Sequence, residues 1–228
     1  MSDQGVTRKH LLVIAPHPDD EILGAGGTMA KYRKAGYAVT VLTVAGHRPP
    51  LYPEKIYRQT VKEALAAHAL IGVEKSVFLD LPATLVGNLK THVLNGKILS
   101  VVREVQPNIV LVPYPDRHID HRVIFDSAMV ATRPVADGQH IEILAAYETL
   151  SETHWNAPHI EPNFTPNWVM DITDYIDLKI KALRCFKSQI PPFPGARSIK
   201  ALRALAMFRG TQAGFAYGEA FHILRMRT

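Results

Sequence analysis

The stretch LLVIAPHPDDEILGAGGT, Leu11 to Thr28, sets a short apolar run against a turn that carries one histidine and three carboxylates, and then a glycine cluster. An apolar run of this length stopped by a proline reads as a buried strand, and the residues beyond the turn take helical spacing. Acids crowded against the end of a core strand cost stability unless something cationic meets them. The stretch therefore reads as a strand–turn–helix unit with a site at its turn.

Working outward, the alternation continues. Apolar, β-branched runs at 11–15, 38–46, 76–81, 108–113 and 141–148 are separated by helical spacing near 24–36, 55–71, 90–106 and 120–132. Such alternation predicts an α/β fold, Rossmann-like, with a mostly parallel sheet and helices on both faces. The last third differs. SETHWNAPHIEPNFTPNW (151–168), rich in Pro, Asn and His, reads as a functional loop. Helices are expected over 174–189 and from 198 to about 208, parted by PPFPG (191–195), which makes a C-terminal helical extension. No linker composition divides the chain, so residues 1–228 read as a single domain.

Open α/β sheets bind ligands at the carboxyl ends of their strands, where strand order reverses. His17, Asp19, Asp20 and Glu21 follow the first strand, and PYPDRHIDHR (113–122) follows the fourth. In an order such as 3-2-1-4-5 these two strands are neighbours, and the clusters face each other across one crevice. Histidine with carboxylate suits Zn²⁺, whose catalytic sites take three protein ligands and keep one position open; Fe²⁺ or Co²⁺ would accept the same donors. His17 and Asp20 stand at i and i+3, as do His118 and His121. That leaves Asp19 as a base and one histidine of the second pair as an acid, without saying which. Glu21 reads as a first-turn acid that complements the helix dipole.

Glycines 24, 26 and 27 do not make a dinucleotide fingerprint: the third glycine is out of register, and the second strand ends without an acid for a ribose. They read instead as room for the first helix to pack on the sheet. The formal charge of +5 is scattered, with no nucleic-acid-binding motif, so no nucleic-acid partner is expected. The longest apolar runs are too short for a membrane span or a secretory signal. A single cysteine, Cys185, allows no disulfide within the chain, which favours a cytoplasmic setting.

APHPDDEILGAGGT (15–28) resembles the (A)HPDDE segment of the PIG-L/LmbE-like de-N-acetylases, and HIDH (118–121) resembles that family's HPDH motif. EALAAHALIGV (63–73), YETLSETHW (147–155), ALRCFKSQ (182–189) and RGTQAGFAYGEAF (209–221) are similar to further family segments. The resemblance implies a zinc-dependent enzyme that removes the acetyl group from an N-acetylglucosamine-type sugar conjugate. By motif position it implies His17, Asp20 and His121 as zinc ligands and Asp19 as general base. His118 would be the second catalytic histidine, stabilising the tetrahedral intermediate and protonating the departing amine. Asp120 would orient a ligand histidine. Relatives of this kind often form homo-oligomers, which the resemblance leaves open here.

For the rest of the substrate, Arg58 and Arg209 are candidates to hold an anionic aglycone, Trp155 to stack on a pyranose and Tyr217 to offer a hydroxyl, with His154 beside Trp155 in the loop. The histidines at 10, 47, 68, 92, 140, 159 and 222 carry no ligand spacing and read as structural or exposed. Three departures bear on the sugar: Ile119 replaces the usual proline of HPDH, Ala83 stands where many members carry an acid, with Asp80 earlier, and GHRPPLYPEK (46–55) lacks a glycine-rich form. The alternatives are a zinc hydrolase of another amide or ester, and a silent sugar-binding module, which would have no need of the base Asp19.

Overall fold

The computed structural model describes residues 8–157, 160 and 162–227, so His159 lies outside the described residues. The expected alternation is present: β1 (His10–Ala15), α1 (Asp20–Lys34), β2 (Ala38–Gly46), α2 (Glu54–Ile71), β3 (Lys75–Pro82), α3 (Thr91–Val105), β4 (Ile109–Pro113), α4 (Ile119–Ala131) and β5 (Ile143–Tyr147). These five strands are parallel, in the order β3-β2-β1-β4-β5. β1 and β4 are thus neighbours, as the topology argument required, with Leu11 opposite Ile109 and Val13 opposite Leu111. Among the described residues no helix is long and apolar enough to cross a membrane.

Period-2 alternation along the buried strands divides the core into two layers. Leu11, Val13 and Ala15 of β1 point into one layer, with residues of α1 and α2; Leu12 and Ile14 point into the other, with α3 and α4. Burial on both faces is why β1 is apolar at every position from Leu11 on.

The last third corrects the expectation in two respects. Of the helix expected over 174–189 only α5 (Ile176–Leu183) forms, with turns following to 189, while α6 (Ile199–Thr211) is present; both pack in the α1 layer. The segment also supplies two strands that sequence pattern did not assign, β6 (Trp168–Asp171) and β7 (Gly218–Met226). β7 pairs antiparallel with β5 and with β6, extending the sheet to seven strands. β6 has only four residues and none is fully buried, so it carries little of the apolar signal that marks a strand.

The glycines of α1 allow close packing. A Cβ on Gly24 would stand 2.1 Å from the Tyr147 ring, and one on Gly27 would stand 2.8 Å from Ile172. The Tyr147 hydroxyl, brought in by this contact, donates to the Ile14 carbonyl at 2.8 Å.

The C-terminal part is fastened to α1 by a buried ion pair. Lys179 Nζ donates to Glu219 Oε1 at 2.6 Å and to the Leu23 carbonyl at 2.8 Å. Glu219 also accepts from the amides of Gly27 (2.8 Å) and Thr28 (2.7 Å). Leu23 and Gly27 carry the carbonyl and amide that an ideal helix joins directly, so α5 and β7 are stitched into the middle of α1. Removing one member of such a pair leaves a buried charge. Lys179→Met is therefore expected to cost about 3–5 kcal/mol in urea unfolding; a loss below about 1 kcal/mol would show that Glu219 needs no counter-charge.

Candidate active site

The turn after β1 has an unusual backbone. Asp19 caps α1 with φ 117° and ψ −28°, a left-handed conformation that costs a non-glycine residue about 1–3 kcal/mol. Its carboxylate makes no capping hydrogen bond and accepts instead from Arg197 at 3.1 Å. Glu21 does more than complement the helix dipole. It is fully buried, accepts from the Asp19 amide at 3.2 Å and meets His68 Nε2 at 3.1 Å, while His68 Nδ1 lies 2.8 Å from Ser76 Oγ. The buried end of α2 and the edge strand β3 therefore hold the turn that presents Asp19.

Asp20 turns the other way, into the crevice. Its Oδ2 lies 3.2 Å from His17 Nδ1 and 3.4 Å from His121 Nε2. Each histidine uses its far nitrogen on a second acid: His17 Nε2 donates to Asp120 at 2.9 Å, and His121 Nδ1 donates to Asp116 at 3.0 Å. In the neutral rings these bonds set the tautomers and leave His17 Nδ1 and His121 Nε2 as lone-pair donors aimed at Asp20. His121 is completely buried, and its Nε2 has no hydrogen-bond partner.

That orphaned nitrogen tests whether a metal ion suits the site. A tetrahedral ion with ligands about 2.0–2.1 Å away separates its donor atoms by about 3.3–3.4 Å. The spacings of 3.2 and 3.4 Å at Asp20 match such edges, and each histidine is oriented by a carboxylate, as metal-bound imidazoles usually are. The residues present therefore fit a divalent ion. The three histidines 17, 118 and 121 also offer ligand atoms within 4.8 Å of one another. Of these, His118 caps α4 by accepting the Asp120 amide on Nδ1 at 3.2 Å. A neutral ring that accepts there carries its hydrogen on Nε2.

Electrostatics follow from burial. Desolvation pushes the Asp19 carboxyl up to about 8 against the pull of the Arg197 guanidinium. Burial alone would lower His17 and His121, but the carboxylates around them win and raise the two to about 9 and about 10. Burial and its two histidine neighbours keep His118 low.

A cavity of about 110 Å³ opens above these groups, lined by His17, Asp19, His118 and Ala83 among others. Ala83 brings no charged group to that wall, and Asp80 does not line it, being hydrogen-bonded to the Tyr57 hydroxyl. Two unexpected residues do line it: His47, which sequence spacing left as structural, and Arg197. Arg197 donates to Asp19 at 3.1 Å, to Ser151 Oγ at 3.1 Å and to Glu152 at 3.4 Å. Nothing local in the sequence marks Arg197, which meets Asp19 across 178 residues. Asp116 was within reach of sequence reasoning, since a buried ligand histidine calls for an acid behind it.

The substrate-side candidates divide. Trp155 lines a larger groove of about 600 Å³ that shares Glu152, Gln189 and Arg197 with the smaller cavity. The other three do not line either space. Arg58 is exposed on α2 beside Glu54, 3.8 Å away. Arg209 is locked onto the buried Glu148 by two bonds of 2.7 and 2.8 Å. The Tyr217 hydroxyl accepts from Arg203 at 3.0 Å. His154 turns to Glu148 at 3.1 Å instead of walling the groove.

Comparison with known proteins agrees with this geometry. A diacetylchitobiose deacetylase of Thermococcus kodakarensis is 28% identical over 95% of this chain and 83% of that protein. The structure of N,N'-diacetylchitobiose deacetylase from Pyrococcus horikoshii, complexed with an inhibitor, matches with TM-score 0.76 and 27% identity, covering 96% of this chain and 84% of the other. The 4-carboxy-2-hydroxymuconate hydratase of Pseudomonas putida matches with TM-score 0.76 at 21% identity, over 96% and 98% of the two chains, and shares the fold. Residues 12–132, just over half of the chain and the part that holds both strand-end clusters, match the family described as "PIG-L: GlcNAc-PI de-N-acetylase". The chain belongs to the PIG-L family.

Proposed function

We propose that this protein is an N-deacetylase that hydrolyses the acetamide of an N-acetylglucosamine-type sugar conjugate, with His17, Asp20 and His121 holding a zinc ion. The observation that carries the reading is the buried His121 Nε2, without a hydrogen-bond partner and 3.4 Å from Asp20, beside an Asp19 whose carboxylate makes no cap hydrogen bond. Similarity to two deacetylases named for diacetylchitobiose supports the substrate class. Two imidazoles and a carboxylate favour zinc, though iron(II) or cobalt would use the same donors.

A divalent ion in this position would polarise the acetamide carbonyl and acidify water. The chain's own groups do the rest. Asp19, lining the same cavity as His118, takes the proton from the attacking water. His118, whose Nδ1 accepts the Asp120 amide, presents its Nε2 hydrogen to the oxygen that gains charge. The proton that Asp19 takes from water is the one delivered to the departing amine, so the net transfer runs from water to nitrogen. Arg197 anchors the Asp19 carboxylate, and Asp116 and Asp120 keep the ligand histidines in the right tautomer.

Residues 1–228 act as one catalytic domain in this reading, because Arg197 comes from the C-terminal part and meets Asp19 near the N-terminus. A cytoplasmic setting is supported by the single cysteine, Cys185, and an assembly of identical chains is compatible with it.

Asp19→Asn keeps the shape and removes the base, so acetate release should fall by about 10²–10⁴-fold while bound metal, measured by elemental analysis, stays at the wild-type level. Wild-type turnover in that variant would remove Asp19 from the mechanism. Asp120→Ala frees His17 on its outer side and should weaken metal affinity by roughly 10–100-fold in a chelator competition. Unchanged affinity would mean that His17 is not a ligand or does not need Asp120.

A further inference from the structure

One wall of the cavity above His17 comes from the segment after β2, and it carries polar groups that the mechanism does not use. His47 and Tyr52 both line that space. Their rings meet edge to face, with centroids 4.6 Å apart. Among the described residues neither side chain makes a hydrogen bond. Other polar side chains of the lining are engaged. Arg197 is shared between Asp19 and Glu152, and Gln189 donates to Ser188 Oγ at 3.0 Å. With His17 and His118 given to the reaction, the exposed Thr84 hydroxyl is what else remains among the described residues. Arg58, Arg209 and Tyr217 stay outside this space, so polar recognition of the substrate falls to groups that sequence spacing left aside.

The segment is anchored, not draped over the site. A Cβ on Gly46 would collide with the Tyr57 ring, so the chain passes tight against α2 as it leaves β2. Next to His47, the Arg48 guanidinium lies 4.8 Å from the centre of that same ring and donates to the Asp80 carbonyl at 2.6 Å. It also stands 3.7 Å from Glu54. The Tyr52 amide then donates to the Arg48 carbonyl at 3.1 Å, which closes the turn between the two rings. A pair held in this way loses little freedom when a ligand arrives.

Chemistry names the group it takes. A neutral imidazole offers one donor and one acceptor, and a phenol hydroxyl offers both. Burial lowers the His47 ring from its ordinary value, so it is neutral near neutral pH. A carboxylate or phosphate only accepts, and would leave the acceptor side of this pair facing a negative charge. A sugar hydroxyl donates and accepts, and satisfies both sides. The cavity, at about 110 Å³, is below the roughly 300–1,000 Å³ of ordinary small-molecule sites, so what it admits lies close to the reacting acetamide. In a 2-acetamido sugar the carbon bearing the acetamide is flanked by C1, which carries the conjugate, and by C3, which carries a hydroxyl. The C3 hydroxyl is therefore the group that arrives with the acetamide.

We propose that His47 and Tyr52 bind the C3 hydroxyl of the reacting sugar and make a free hydroxyl there a requirement of this enzyme. The proposal rests on the deacetylase reading above and adds the residues that select the ring.

The test compares metal-dependent acetate release from the methyl glycoside of N-acetylglucosamine and from its 3-deoxy analogue. Wild-type kcat/KM should be lower on the deoxy probe by about a hundredfold or more. His47→Phe and Tyr52→Phe keep an aromatic ring and lose only the polar group. Each should lower kcat/KM on the parent probe by about tenfold, mainly through KM, and change it little on the deoxy probe. His47→Asn, which keeps a donor and an acceptor, should recover part of the loss. Equal wild-type kcat/KM on the two probes overturns the assignment and leaves the deacetylase intact. Equal loss on both probes in either variant removes that residue from the assignment, since it would then shape the wall without reading the hydroxyl. Silence on both probes with metal bound overturns the deacetylase reading itself, and the assignment with it.

Discussion

Five carboxylates are buried within a few residues of the ends of β1 and β4, namely Asp19, Asp20, Glu21, Asp116 and Asp120, and the rest of the structure is arranged to tolerate them. Desolvated acids are stable only when each is met by a hydrogen bond or a positive charge. Asp116 and Asp120 take the outer nitrogens of His121 and His17, Glu21 takes His68 and a backbone amide, and Asp19 takes Arg197. Asp20 is left facing the two inner nitrogens, at separations that suit metal coordination. The surrounding acids thus choose which histidine nitrogen points inward.

This arrangement depends on elements far apart in the chain. The turn at Asp19 is held from one side by His68 on α2 and from the other by Arg197, just before α6. Arg197 can arrive there because the C-terminal third is anchored through Lys179 and Glu219 to the middle of α1, and because β7 closes onto β5. A strained cap residue is maintained only where surrounding contacts over-determine it. Here the contacts come from both flanks. A hydratase at 21% identity shares the fold, and a fold does not by itself fix a reaction.

Much of the fold could be read from β1, β2 and β4, whose mainly apolar runs reflect burial on both faces of a parallel sheet. Their alternation with helices led to the neighbouring of β1 and β4 and hence to one shared crevice. β6 and β7 escaped notice for the opposite reason. One is four residues long, and the other is only half-buried over its second half, so neither shows a clean period. The same contrast holds at the site. His17, Asp19, Asp20, His118 and His121 are grouped by short spacing, which a sequence displays directly. Arg197, Glu152 and His47 become neighbours of those residues only through folding.

By itself, then, the order of residues determined the strand–turn–helix units, the strand ends at which acids and histidines collect, and the donor types available there, because each of these is a local property of periodicity and spacing. The tertiary structure decided which histidine nitrogen faces inward, that the Asp19 carboxylate makes no cap hydrogen bond, and that Arg58, Arg209 and Tyr217 stay out of the crevice. Those outcomes hang on hydrogen bonds and ion pairs between residues up to 178 positions apart, which no local pattern records.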